Sequence, residues 1–291
     1  DKLLDEYSGV IYIKRNPTPE DDTPVKLKNN RFARLFELIG AMYALPKYGT
    51  MDLTPFFAPF YMLFFAICLN DAGYGAILLL AGIMLLLKGG ASLKQASWLT
   101  IFCGGATTLF GLYTGSLFGM SIPDMLGYEN IADSPFLDFQ NQFFSLALAL
   151  GVVQILFGMF LNICLQTKLF GFTSTFGLLG WFIILLSGCI AVGLPMLNEN
   201  LVISWFTASS PAFYAAMGVG AVLMLLLNNI KRNPLVNFGS GLWDAYNNIT
   251  GLLSDVLSYI RLFAIGLSGG VLAQVFNSLA LGLTGLSEGI G

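Results

Sequence analysis

Residues 251–270 read Gly-Leu-Leu-Ser-Asp-Val-Leu-Ser-Tyr-Ile-Arg-Leu-Phe-Ala-Ile-Gly-Leu-Ser-Gly-Gly, inside the longest apolar stretch of the chain, Leu242 to Leu283. Arg261 is the only Lys or Arg after Arg232. A guanidinium keeps its charge at any physiological pH, and at bilayer depth it costs about 2.5–3.5 kcal/mol on insertion scales. An intramembrane charge is a functional residue by default, with ion or proton movement the commonest role. Asn247, Gly251, Ser254, Ser258, Arg261, Ile265 and Ser268 recur at steps of four and three, so they share one narrow, mostly small and polar helix face. Small residues admit a neighbouring helix closely, and Asn and Ser hold water on either side of the charge. The bland reading is a buried salt bridge to Asp255 or Asp71. Asp255 is a poor partner, being six positions and roughly 120° away around the helix.

Composition places the rest of the chain in lipid. Apolar residues make up 56% and charged residues 11% of the 291, against roughly 25% charge in an ordinary soluble domain. Eight of the 14 Lys and Arg precede residue 48, and the net charge of -3 comes without a basic cluster for nucleic acid. His is absent, which removes Ser-His and Cys-His catalysis and the usual zinc sites. Cys68, Cys103, Cys164 and Cys189 each sit in an apolar run and read as structural thiols. No GxxxxGK[ST] occurs, so no P-loop nucleotide site, cofactor or metal is expected.

Residues 1–50, rich in Lys and Arg, read as a water-facing juxtamembrane segment on the cytoplasmic side, and 51–291 as a transmembrane domain. The first part holds a strand-like run, Val10–Ile13, and a turn region with Pro17, Pro19 and Pro24. A helix follows from Asn30, with Phe32, Leu35, Phe36, Ile39 and Tyr43 on one face. It suits a membrane-surface helix or the end of a soluble domain. The second part predicts an all-α polytopic bundle with apolar segments at about 55–69, 73–87, 97–119, 141–166, 173–194, 202–229 and 242–283. Lys88 with Lys94, Lys168, and Lys231 with Arg232 put those loops in the cytoplasm; the loop carrying Asp124, Glu129, Asp133 and Asp138, and the one at Glu199, fall opposite. The stretch from 55 to 87 then crosses twice, as short or tilted spans breaking at Asn70-Asp71-Ala72-Gly73, or forms a re-entrant hairpin. The last segment, too long for a perpendicular crossing, is tilted or projects beyond the bilayer. Asp71 fits either a charge in an outer water-filled cavity or a cap at the helix break. Gly111, Gly115 and Gly119 read as a GxxxGxxxG packing ridge.

These motifs carry a resemblance. Asp255-Val-Leu-Ser-Tyr-Ile-Arg-Leu-Phe-Ala-Ile-Gly-Leu with the preceding Gly-Leu-Leu-Ser, Leu45 to Tyr48, Thr54-Pro55, Ala58-Pro59-Phe60, Asn70 to Gly75, and Gly115 to Gly119 resemble, in order, the membrane domain of subunit a (subunit I) of V-type and A-type rotary ATPases. Departures are Asp52-Leu53-Thr54 for Asp-Pro-Thr, Asn70 for a Gly, and Gly269-Gly270 where eukaryotic members carry His and Gln; the last points to a bacterial or archaeal-like member in a prokaryotic plasma membrane. The chain starts at Asp1 without Met, so a fragment is expected, lacking the family's N-terminal arm and its eighth, final helix.

The resemblance implies a stator subunit with no catalytic site of its own. Arg261 would face the carboxylates of a rotating proteolipid ring, c- or K-type, between two offset aqueous half-channels, coupling H⁺ or Na⁺ movement to ATP hydrolysis or synthesis. Peripheral stalk subunits would attach through the arm. Asp244, Asn247 and Asn248 would line the cytoplasmic path, Ser268 and Asp71 the opposite one, and Ser254 and Ser258 would orient water or admit the ring. A secondary transporter using Arg261 for an anionic substrate is the alternative, but no second copy of this segment is present, whereas such folds are built from repeats. A purely structural scaffold is a further rival.

Overall fold

The structure is a computed structural model, and it describes residues 27–43, 51–90, 93–127, 139–197, 203, 205–227 and 234–284. Val10–Ile13, Pro17 to Pro24, Leu45–Tyr48, Glu129, Asp133, Asp138, Glu199, Lys231 and Arg232 lie outside the described residues, as does the side chain of Asp124. The chain divides into two compact units between Ala58 and Pro59.

In the first unit, α1 (Arg31–Tyr43) occupies the predicted place, with Ala33 and Phe36 buried. The next helix, α2 (Thr54–Leu69), has Pro55 in its first turn, where the missing N–H costs nothing. Asp52 starts it: its carboxylate accepts from the Thr54 amide at 2.9 Å, the Thr54 hydroxyl at 2.6 Å and Asn29 Nδ2 at 2.5 Å. Asn29 also donates to Glu37 at 2.9 Å, which ties α1 to the same point. Burial raises the Asp52 carboxyl, but the hydrogen bonds from Thr54 and Asn29 outweigh it and hold it below its ordinary value.

Among its described residues, the second unit is helical apart from one small hairpin and short connections. After Asn70, α3 (Ala72–Lys88) and α4 (Lys94–Thr114) run back to back; β1 (Ser116–Leu117), β2 (Met120–Ser121) and a single turn, α5 (Ile122–Met125), follow. Then come α6 (Phe139–Phe170), α7 (Phe176–Gly188), α8 (Leu194–Leu197), α9 (Pro211–Leu225) and α10 (Pro234–Thr284). A π-helical turn at Cys189–Gly193 joins α7 to α8, just before Pro195. Proline has no N–H for the carbonyl four residues back, and widening the turn is one way a helix absorbs that loss. Among the described residues, three helical stretches are long and apolar enough to cross a membrane, Phe143–Phe170, Phe176–Gly193 and Val236–Ala280; α2, α3 and α9 are shorter apolar helices. The chain is an all-α membrane protein.

Two expectations change. The third apolar run does not continue as helix to residue 119: α4 ends at Thr114, and Gly115 caps it in the left-handed conformation, φ 72°. Phe118 and Gly119 also have positive φ, 51° and 74°. They form the two-residue turn of a hairpin pairing Leu117 with Met120 and Ser116 with Ser121. Gly111, Gly115 and Gly119 therefore do not form one ridge. The seam between α3 and α4 uses glycines seven apart on each helix instead, Gly75 with Gly82 and Gly104 with Gly111. A Cβ at Gly75 would fall 2.6 Å from the Thr108 nitrogen, at Gly82 2.8 Å from Ile101, at Gly104 2.6 Å from the Leu79 nitrogen, and at Gly111 against the Ala72 nitrogen. A seven-residue repeat keeps both seams in register where two helices wind left-handedly. Farther along, Gly180 of α7 and Gly220 of α9 face each other in the same way. The second change is at α9, which starts at Pro211 behind the N-cap Ser210, whose hydroxyl oxygen accepts from the Phe213 amide at 3.2 Å.

Filling the seam costs more than helix propensity returns. Gly104→Ala should destabilise by about 1–3 kcal/mol, while Gly105→Ala, whose Cβ stands 3.7 Å from Leu79 Cδ1, should be neutral or up to ~1 kcal/mol stabilising; thermal unfolding in detergent separates them. Because the folded Asp52 carboxyl lies low, its contribution is complete above the free value of ~3.9 and is lost as pH falls through the folded value. The melting-temperature gap between wild type and Asp52→Asn should accordingly close below about pH 4.

Candidate functional site

At 1.5 Å per residue the 51 residues of α10 extend about 75 Å, far beyond a ~30 Å hydrocarbon core. The helix is held at three stations along one side. Near its start, Asn237 Nδ2 donates to the Leu226 carbonyl at 2.5 Å, Gly241 lies where a Cβ would meet the Leu225 backbone at 2.9 Å, and Ala245 packs with Trp181 and Met224. At its middle, the Tyr259 ring fills the notch left by Gly151 of α6, its hydroxyl donates to Gln154 Oε1 at 3.1 Å, and the Phe64 ring of α2 packs against it at 5.7 Å, tilted by 37°. Leu262 and Phe263 join Ile67, Phe143 and Ala147 in a core cluster, and Gly266 admits the Phe143 ring. Toward its end, Ala273 meets Gly119 and Asn277 Nδ2 donates to the Phe118 carbonyl.

Arg261 points the other way. Two residues beyond Tyr259 is about 200° around the helix, and Arg261 is exposed. Among the described residues it makes no ion pair or hydrogen bond, with Asp255, Asp71 or any other group. Asn247, Gly251, Ser254, Ser258, Ile265 and Ser268 are exposed with it, so the whole predicted face lies open along α10. Ser258 and Ser268 turn their hydroxyls back to the carbonyls of Ser254 and Ile265, at 3.0 and 3.1 Å. Those two hydroxyls are thus bonded within the helix, and the small side chains on either side of Arg261 leave room for another helix to pack closely. Gly151 and Gln154 lie at the middle of α6, so Arg261 is level with mid-bundle.

Three other candidates meet at one cavity. Asp244, Asn247 and Asn248 of α10, with Gly177 and Leu178 of α7 and Met224 of α9, line a space of ≈ 190 Å³. It has room for several waters at ~30 Å³ each, and its polar groups supply partners for them. Asn248 is 13 residues before Arg261, about 20 Å along the axis. The cavity therefore stands apart from the guanidinium, and Gly251, Ser254 and Ser258 occupy the open face between them. Gln154 and the Gly177–Leu178 wall were not singled out in the sequence, since each takes its meaning from a helix distant in the chain.

Asp71 takes the geometry of the cap. It is 4% exposed and N-caps α3, with Oδ1 accepting from the Gly73 and Tyr74 amides at 2.8 and 3.0 Å. The hairpin supplies the remaining donors: the Phe118 amide to Oδ1 at 2.9 Å, and the Gly119 amide and Ser116 hydroxyl to Oδ2 at 2.7 and 3.2 Å. Asn70, where the resembled family has Gly, adopts φ 38° and accepts from Thr114 Oγ1 at 2.7 Å. Asparagine tolerates this left-handed position, so the departure keeps the backbone and adds a bond to α4.

No family model matches the chain. Among curated proteins it is 30% identical over 291 residues, 97% of its length, to the A-type ATP synthase subunit I of Pyrococcus abyssi, and 27% identical over 299 residues, 93% of its length, to that of Methanocaldococcus jannaschii. It is 29% identical over 292 residues, 92% of its length, to the V-type ATP synthase subunit I 1 of Treponema pallidum. The chain spans 42%, 42% and 44% of those relatives, about two fifths of each.

If the cavity takes up water, single cysteines at Asn247 or Asn248, in a background without the four native ones, should react with a membrane-impermeant maleimide at least tenfold faster than one at the buried Ala245. Equal rates would mean that the space is closed to solvent.

Proposed function

From the premise that the chain belongs, over its membrane region, to the subunit I family of A-type and V-type ATP synthases, we propose that it is the stator part of a rotary ATPase across which ions pass. The observation that carries this reading is the open Arg261 face. A charge that pairs with no group among the described residues, on the side of α10 opposite its three packing stations, calls for a counter-charge from another molecule.

A ring of proteolipid subunits, each with one lipid-buried carboxylate, supplies it. As a carboxylate comes within ~4–6 Å of Arg261, the fixed positive charge favours its ionised form by about 1–3 pKa units, so the bound ion is released. The small side chains at Gly251, Ser254, Ser258 and Ser268 let the ring come that close. The cavity at Asp244, Asn247 and Asn248 serves as the cytoplasmic mouth of one half-channel, and the surface outward of Ser268 borders the other. Arg261 separates the two paths electrostatically, because a cation passing directly between them meets a fixed like charge. Rotation is then the route by which ions cross. Peripheral stalk subunits hold the stator still, and the basic loops face the cytoplasm.

In the complete assembly, Arg261→Gln should reduce ATP-driven ion pumping to background while the soluble head still hydrolyses ATP. Pumping at wild-type rates in that variant would overturn the reading and favour a structural scaffold.

A further inference from the structure

We infer that Asp71 is a positioning residue for the Arg261 helix: its carboxylate locks the Ser116–Ser121 hairpin to the start of α3, and the hairpin in turn fixes the far end of α10. Five donors converge on the two carboxylate oxygens, two from the first turn of α3 and three from the hairpin. The Phe118 and Gly119 amides point the same way because both residues have positive φ, and successive amides in such a turn form a concave donor site for an anion. Gly73 lacks a side chain where the Phe118 ring lies, since a Cβ there would come within 2.6 Å of it, and Tyr74 meets that ring edge-on at 5.5 Å. The carboxylate, the ring and the turn thus seat the hairpin on α3 as one block.

That block also holds α10. A Cβ at Gly119 would fall 2.6 Å from the Ala273 methyl, and Asn277 Nδ2 donates to the carbonyl of Phe118, whose amide is bound to Asp71. Ala273 lies 12 residues beyond Arg261, about 18 Å along the axis. The stations at Asn237–Ala245 and at Tyr259–Gly266 remain, so loss of the outer one frees the part of α10 beyond Gly266 and loosens the end of the Arg261 face at Ser268. A carboxylate whose two oxygens accept five hydrogen bonds serves as a fixed anchor. A proton carrier would have to break several of these bonds at each transfer.

The consequence for transport rests on the rotary reading; the anchor itself does not. The test uses the complete assembly with Ala273→Cys as its only cysteine in this subunit, labelled with a water-soluble maleimide, alone and combined with Asp71→Asn or Asn277→Ala. Both variants should label several-fold faster at position 273. Both should lower the maximal rate of ATP-driven pumping several-fold while leaving the pH of half-maximal pumping unchanged, because the ion-carrying groups are intact. A shifted pH midpoint in Asp71→Asn with labelling at the parental rate would overturn the inference in favour of proton transfer by Asp71. Faster labelling without loss of pumping, or no change in either, would also overturn it. Should Asp71→Asn fail to assemble, Ser116→Ala, which removes one of the five donors, is read by the same measurements with smaller effects expected. Retained pumping in Arg261→Gln would defeat the rotary reading, whereas the labelling rates would still decide the anchor.

Discussion

Helices in lipid gain little by hiding apolar surface from one another, since the acyl chains are as apolar as the side chains; close contact between backbones is what remains to hold them. The structure depends on this constraint throughout. Gly75, Gly82, Gly104 and Gly111 join α3 to α4, Gly180 and Gly220 join α7 to α9, and Gly241, Gly151 and Gly266 let α10 approach its neighbours. Where backbones leave the helix, as at Asn70 and from Gly115 to Gly119, their polar groups need partners inside the protein. The Asp71 carboxylate supplies them, and so one charge satisfies four amides and a hydroxyl that lipid could not.

This packing gives α10 two unlike sides. Tyr259, Phe263, Gly266, Ala273 and Asn277 face the bundle, and Gly251, Ser254, Ser258, Arg261 and Ser268 do not. The division is set by the helical period: residues two apart are thrown to nearly opposite sides, so anchoring Tyr259 in the Gly151 notch directs Arg261 outward. Packing and charge presentation are consequences of one rotational setting of the helix.

Much of this was legible in the sequence. Apolar runs located the long helices among the described residues, the Asn70-Asp71-Ala72-Gly73 break fell where α2 ends and α3 begins, and steps of three and four picked out residues that are exposed together along α10. The hairpin was not legible, because glycines at 111, 115 and 119 have the spacing of a helical ridge and only the backbone angles show that two of them turn the chain. Nor was the glycine seam, for a repeat of seven on α3 signifies packing only beside the matching repeat on α4. The first turns of α10 precede the apolar run, and Pro234 begins the helix eight residues before Leu242. Gln154 gave no signal of its own; its role depends on a tyrosine 105 positions away.

The Arg261 guanidinium, without a partner among the described residues, has a further thermodynamic meaning. A charge that costs about 2.5–3.5 kcal/mol in lipid is a strain relieved when an oppositely charged surface covers it, and that relief amounts to about two orders of magnitude in association constant. It is a driving force specific to one orientation of α10 and to one sign of partner. Under the proposed rotary reading, Arg261 also favours completion of the assembly, and the solitary chain is the less stable inhabitant of the membrane.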